Sequence, residues 1–522
     1  MSDAQNQGIM AYVVDDEVAN AYKVIITSQS GIKCKTKSLA SFFRGFHNLY
    51  KVDYSNLDTT ENTDFSYMFA YTGRVDGLAP TISLPENFIK APGSDLSYMF
   101  FSSNNSVDLT GLNTTNVVSM EAMFHNYCYG ILDKDRLQRV TLTLGSEEKP
   151  FKIYEGTNVF RMFDGCNYWL SPGPDSTKAN VIEQIDISNL KSTEGMFYNY
   201  LGVYRYETED EYDYYLDVSS LNTTNVESMA KMFAHTFDNN LEGVIYFGDD
   251  KDKFVAAPDC SGMFENCDTN KLDLSYVDFS KTNNMTNMFK GYSGPGLFDP
   301  TVEKSITFPE TMEVADNCDL SYMFSYACVN TDIFHHINGA KVSSMKGMFE
   351  NFGYEQVYTV KKYTFSISFP EDFNVKDNCD VSAMFKLAKT DVNLTNFATS
   401  NLTDFSEMFK AYGLYVLTGG SWQAVYKITF PEGGLQTGNN ANFYAMFKEA
   451  QLNEFTLNDV DISKAINLSE MFMNMGLVYQ ISIVPVKEAP PYAIFKLTVN
   501  AGSENAPLIT AANSDMSYMF AG

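Results

Sequence analysis

The feature that most constrains this chain is a repeated dipeptide. Met-Phe occurs fifteen times, placing phenylalanines at positions 69, 100, 124, 163, 197, 233, 264, 289, 324, 349, 385, 409, 447, 472 and 520. Five residues before each lies Asp, Ser or Asn, as at Asp64, Asp95, Ser119, Asn284 and Asp319. These are the residues that best cap a helix N-terminus. The position after the cap is apolar in fourteen of the fifteen units, Thr193 being the exception. Ser38-Leu39-Ala40-Ser41-Phe42-Phe43 fits the same template and makes a sixteenth. Self-similarity spaced by tens of residues marks a tandem-repeat protein.

A cap followed by apolar residues at the first, fourth and fifth helical positions predicts one helical turn with a single apolar face. So short a helix cannot stand alone, because nucleation costs more than its few hydrogen bonds return. It has to be held by neighbours, and burying each Met or Phe side chain contributes about 1.5–3 kcal/mol. Phe69, Phe100, Phe124, Phe324, Phe385 and Phe520 are therefore expected in a structural core. Asp64, Asp95, Asp319, Asp380, Asp404 and Asp515 are expected as structural caps. Alternating segments between the turns, including 52–55, 107–109, 185–187, 216–218, 272–274 and 392–394, read as short strands. One short parallel strand and one short helical turn per repeat predict a leucine-rich-repeat-like α/β solenoid.

Repeat length alternates: from Phe233 to Phe472 the successive spacings are 31, 25, 35, 25, 36, 24, 38 and 25 residues. Short repeats carry Leu-Asn-Thr-Thr-Asn-Val, at 112–117 and 221–226, while long ones add β-rich stretches such as 305–310 and 427–432. The extra residues suit β-hairpin insertions in alternate repeats, as over 412–430, where Gly419-Gly420 supplies a turn. The expected organisation is an N-terminal cap over 1–37, including a strand at 22–27, and about sixteen tandem repeats over 38–522. A repeat array needs its open end covered, so the C-terminal end is expected to continue, to dock on a partner or to self-associate.

The run Asn113-Thr114-Thr115-Asn116-Val117-Val118-Ser119-Met120-Glu121-Ala122-Met123-Phe124, and its counterpart over 222–233, resemble the repeat of about 26 residues in BspA-like leucine-rich-repeat surface proteins. The resemblance spans about Ser38 to Phe520. It implies a non-enzymatic solenoid used for adhesion or protein binding, extracellular or at a cell surface. Surface members usually carry a signal peptide and an anchor, and neither is seen in this sequence. The repeats also look like those of phage-encoded proteins, which gives the alternative of a virion structural component such as a fibre, decoration or receptor-binding protein.

Composition narrows the partners. A net charge of -28, from 37 basic and 65 acidic residues, leaves no surplus for nucleic-acid phosphates. No stretch approaches the ~20 apolar residues of a membrane-spanning helix. The five histidines are scattered, with no metal or triad spacing, and no Gly-rich phosphate loop is present, so no catalytic residue, metal or cofactor is assigned. Eight cysteines without a CxxC pair read as small buried residues. The expected partner is a protein or cell-surface receptor. Tyrosine offers large contact area at low entropy cost, which selects Tyr204, Tyr206, Tyr212, Tyr214 and Tyr215 in an acidic insertion as candidate contacts. Trp169 and Trp422, in other inserted segments, join them.

Overall fold

A computed structural model describes residues 10–521 except 16–21, 28–31, 34–36, 48, 50–51, 55–56, 74–80, 130, 132–136, 138, 169, 172–179, 202–214, 238–242, 250–253, 270, 294–304, 354–365, 372, 414, 419–420, 425, 453–454, 457–458, 480–491, 495–498 and 501–509. The chain divides into two compact units, Met1–Ser192 and Thr193–Gly522, built on the same plan.

The Met-Phe segments are not helical turns. They are strings of tight turns, and the first repeats show why. Met68 N–H donates to Phe65 O (3.2 Å) and Ala70 N–H to Tyr67 O (3.0 Å), each three residues back rather than four. The intervening amides of Phe65, Tyr67, Phe69 and Tyr71 donate to Asp95, Ser97, Met99 and Phe101 of the following repeat at 2.8–3.1 Å. Ser66 N–H is taken by Asp64 Oδ1 at 3.0 Å. Every amide from Phe65 to Tyr71 thus has a partner, as buried backbone requires. A single α-helical turn would leave its first four N–H groups without intrahelical acceptors.

This alternation needs left-handed backbone at the third residue after each cap, and all sixteen repeats have it. Tyr67 (φ 54°), Tyr98 (57°), Ala122 (51°), Lys231 (54°), Glu407 (56°) and Tyr518 (54°) adopt it without glycine, whereas Gly195, Gly262 and Gly347 hold the same place in their repeats. The left-handed region costs a non-glycine residue about 1–2 kcal/mol, so the pairing it permits has to outweigh that penalty in every repeat.

The stacking of repeats supplies the compensation. In the first unit the rings of Phe43, Phe69, Phe100, Phe124 and Phe163 form one column with centroids 5.3–5.5 Å apart. In the second, Phe197 to Phe520 form another, with steps of 5.2–5.8 Å and ring planes within 18° of parallel. Such offset stacking is worth about 0.5–1.5 kcal/mol per pair beyond burial. The partner methionines, from Met68 to Met471, are fully buried. Phe520 departs from its expected core place: Phe472 covers one face, no described ring covers the other, and the residue is 54% exposed.

Short parallel strands make a second set of contacts. Thr81–Ser83, Ser106–Asp108 and Leu142–Thr143 pair in order, as do Ser366–Ser368, Asp391–Asn393 and Ile428–Thr429. Tyr215–Asp217 pairs with Val244–Tyr246, and Lys271–Asp273 with Ser305–Thr307. Their central residues, such as Ile82, Leu216, Ile245, Leu272 and Val392, point into the core. Five of the six expected strands are present; residues 52–54 are not extended into a sheet, and Leu57–Asp58 pairs there instead. The Leu-Asn-Thr-Thr-Asn-Val motif becomes intelligible here. Thr114 and Thr223 are buried and donate their hydroxyls to Lys152 O (2.5 Å) and Val255 O (2.8 Å), tying neighbouring repeats together.

Three antiparallel pairs interrupt the parallel pattern among the described residues. Met10–Asp15 pairs with Tyr22–Thr27 inside the expected N-terminal cap. Tyr415–Thr418 pairs with Ser421–Ala424 inside the long repeat, the expected turn at Gly419-Gly420 lying outside the described residues, and Leu477–Tyr479 pairs with Tyr492–Ile494. The extra residues of the long repeats at 294–304 and 354–365 lie outside the described residues.

Truncating one ring in the middle of the second column removes two stacks and opens a cavity. Phe289→Ala is expected to lower stability by about 3–5 kcal/mol, read as a lower urea midpoint; a shift as small as that of an exposed substitution would show that the column does not hold the repeats.

Candidate interaction surfaces

The cap residues are used in the turns. Oδ1 of Asp64, Asp95, Asp319, Asp380, Asp404 and Asp515 accepts the N–H two residues on at 2.8–3.0 Å, an Asx-turn rather than a helix cap. Neutral donors from neighbouring repeats then reach several carboxylates: Ser38 Oγ donates to Asp64 (2.8 Å), Asn284 Nδ2 to Asp259 (2.9 Å) and Asn442 Nδ2 to Asp404 (3.2 Å). Ser and Asn interspersed among the Asp caps limit like charge along this column, although Asp64 and Asp95 follow one another. For Asp64, burial raises the carboxyl pKa, but hydrogen bonds from Ser66 and Ser38 outweigh it and hold the pKa below the usual carboxylate value.

Other polar groups are also occupied by the framework. His125 Nδ1 lies 3.2 Å from Asp164, which Arg161 also approaches at 3.5 Å. His336 contacts Pro309 O (2.9 Å) and Asp332 (3.3 Å), and His235 faces Asn266 (3.3 Å). Tyr127 and Tyr412 are buried and donate to Asn105 O and Thr390 O, each at 2.5 Å. Burial pushes the thiols of Cys260, Cys318 and Cys379 up to about 12, which suits packing and not nucleophilic work. Among the described residues no three His, Cys, Asp or Glu side chains gather in a metal-binding group, and no helix is long and apolar enough to cross a membrane.

Two surface arrangements remain. On the turn face of the first unit, Tyr67 stacks on Tyr98 at 4.7 Å, Tyr71 and Phe101 meet edge to face at 5.1 Å, and Phe101 reaches His125 at 5.1 Å. The Arg44 guanidinium sits 5.6 and 5.5 Å from the ring centres of Tyr67 and Tyr71. The same columns in the second unit carry ionic runs, Lys231–Glu265–Lys290, Glu350–Lys386–Glu407–Lys410 and Lys448–Glu470, beside fewer aromatics such as Tyr198, Tyr322 and Tyr326. On the strand face of that unit, Tyr215 stacks on Tyr246 at 6.2 Å beside exposed Val244 and Tyr276.

Of the tyrosines singled out by sequence, only Tyr215 is placed in this patch. Tyr204, Tyr206, Tyr212 and Tyr214 lie outside the described residues, as does Trp169. Trp422 lies in a hairpin strand opposite Leu417. Sequence reasoning missed Tyr246 and Val244, although their alternation with buried Ile245 was the available signal. It also missed the Tyr67, Tyr71, Tyr98 and Phe101 stripe, because its ring contacts join side chains of two neighbouring repeats that lie far apart in sequence.

The family model described as "Mycoplasma protein of unknown function, DUF285" matches residues 94–131, 157–294, 258–359, 318–431 and 355–482, together well over half of the chain. No curated protein matches, and no solved structure matches.

The ionic column makes stability depend on pH in a definite direction. Burial raises the Glu407 pKa, but hydrogen bonds from Lys410 and Lys386 and the charge of Lys386 lower it below the ordinary glutamate value. A carboxylate with a depressed folded pKa contributes stability above its unfolded pKa and loses it as pH falls through the folded one. Glu407→Gln is therefore expected to lower the melting temperature at pH 7 and to narrow the gap to wild type below about pH 4; a gap independent of pH would contradict this ion-pair role.

Proposed function

We propose, from the premise that this chain belongs to the DUF285 family, that it is a non-enzymatic repeat solenoid that binds protein, acting as an adhesive component at a cell surface or in an extracellular assembly. The observation that carries the reading is the aromatic stripe at the surface of the first unit, half-buried Tyr67, Tyr98 and Phe101 with exposed Tyr71 and Arg44, outside a framework whose polar groups are largely occupied. Aromatic and arginine side chains are enriched in protein interfaces, while singly scattered apolar residues need no such explanation. The resemblance of residues 113–124 to BspA-like repeats supports the same class. A stacked array suits this use because each repeat adds surface without a new core.

The test is adhesion of cultured animal cells to surfaces coated with the native chain or with the heat-unfolded chain, alongside light scattering over a range of concentrations. The expected outcome is at least threefold more cells on the native coat and a mass that does not change with concentration. Equal adhesion on both coats would contradict the reading. A mass that grows with concentration, and falls back when residues 515–522 are removed, would favour the alternative of an assembly or virion component.

A further inference from the structure

Four strands of the second unit are polar on their outward side. Flanking their buried centres stand Lys271 and Asp273, Ser305 and Thr307, Ser366 and Ser368, and Asp391 and Asn393. In Tyr215–Asp217 and Val244–Tyr246 the same places hold Tyr215, Val244 and Tyr246. Register sets Tyr215 beside Val244 and Asp217 beside Tyr246. Val244 is 42% exposed, Tyr246 37% and Tyr276 38%, so three side chains that could have been Ser, Thr or Lys are apolar or aromatic and face solvent.

We propose that Tyr215, Val244, Tyr246 and Tyr276, framed by Asp217 and Asp249, form a docking site for a lysine- and arginine-rich segment of a partner protein. The site rests on the protein-binding reading above and names the chemistry of one partner. Tyrosine faces attract ammonium and guanidinium groups, and carboxylates beside them add Coulombic attraction. The rings already register that field. Burial raises the Tyr215 phenol to about 12, with Asp217 and Tyr246 adding to it, and burial followed by Asp249, Asp217 and Tyr276 raises Tyr246. On the next strand Lys271 and Asp273 offset each other, so Asp217 and Asp249 set the local sign. The net charge of -28 draws cationic partners in the same direction. The chain also holds an example of the contact, since Arg44 rests over Tyr67 and Tyr71. The sequence running into Tyr215 continues the chemistry with four more tyrosines among acids, though the site stands without it.

The experiment measures fluorescence anisotropy of a labelled peptide of alternating Arg, Lys and Gly at physiological salt, using the full chain. Tyr215→Ser with Tyr246→Thr changes no charge and installs the residues found at Ser305 and Thr307 in the matching register. Binding is expected to weaken at least tenfold with the melting temperature unchanged; equal affinity would show that general acidity holds the peptide and would overturn the site. Should that variant melt early, Asp217→Asn with Asp249→Asn keeps the side-chain shape and is expected to weaken binding at least threefold, while no weakening overturns the proposal. The adhesion assay separates the two levels. Adhesion that persists in the tyrosine variant overturns this site as the adhesive contact and leaves the broader reading standing. Peptide binding lost in the variant, together with no adhesion by wild type, overturns that reading and leaves the cation site.

Discussion

Half of the turn-segment amides have no partner inside their own repeat, and the rest of the structure follows from that. Phe65, Tyr67, Phe69 and Tyr71 find acceptors only in the next repeat, and Leu96, Tyr98, Phe100 and Ser102 repeat the arrangement one step further. A buried N–H without an acceptor costs about 1–3 kcal/mol, so an isolated repeat is unstable for the same reason that a stack is stable. Within these segments earlier repeats donate and later repeats accept, while amides that flank them, such as Asp95 and Asn104, donate back to Thr63 O and Thr72 O of the preceding repeat. Left-handed residues at Tyr67, Tyr98 and their equivalents turn alternate amides toward the neighbour. The stacked Phe rings then bring successive repeats to hydrogen-bonding distance.

This arrangement accounts for the tolerance of unequal repeat lengths. Contacts between neighbours pass through the turn column, the short strands and buried threonines, so residues inserted elsewhere change neither the ring spacing nor the pairing. The spacing from Phe385 to Phe409 is 24 residues and from Phe409 to Phe447 is 38, yet their centroid distances are 5.3 and 5.5 Å. Surface positions are correspondingly free to vary. The same turn columns carry an aromatic stripe in the first unit and lysine–glutamate ladders in parts of the second, and the paired strands Tyr215–Asp217 and Val244–Tyr246 set two tyrosines side by side. Specificity of contact can therefore change from repeat to repeat while the framework stays constant.

Much of the architecture was legible in the residues. Met-Phe periodicity located the core column, and Val107, Ile185, Leu216, Leu272 and Val392 marked strands through their alternation with polar neighbours. The helical turn was misread because apolar residues at the first, fourth and fifth places after a cap fit a helix and a string of tight turns equally well. A discriminating signal was present: Gly195, Gly262 and Gly347 fall at one template position, where a backbone conformation natural to glycine is required. Tyr67, Tyr98 and Lys231 at that position hid it. The caps were found for a related reason, since an aspartate that closes an Asx-turn and one that caps a helix both accept a nearby N–H. The surface patches were less legible, because they depend on register between strands far apart in sequence, as with Tyr215 and Tyr246.

The most direct test of the account is native-state hydrogen exchange resolved to single amides in the turn segments. Tyr67 and Tyr98 have half-buried side chains at the surface, yet their amides donate to Ser97 and Glu121 of the following repeats at 3.1 and 2.9 Å. The account predicts that these amides exchange as slowly as those of buried Phe69 and Phe100, through opening of whole repeats. Exchange at the rate of exposed loops for Tyr67 and Tyr98, with Phe69 and Phe100 protected, would contradict the ladder between repeats on which the structure depends.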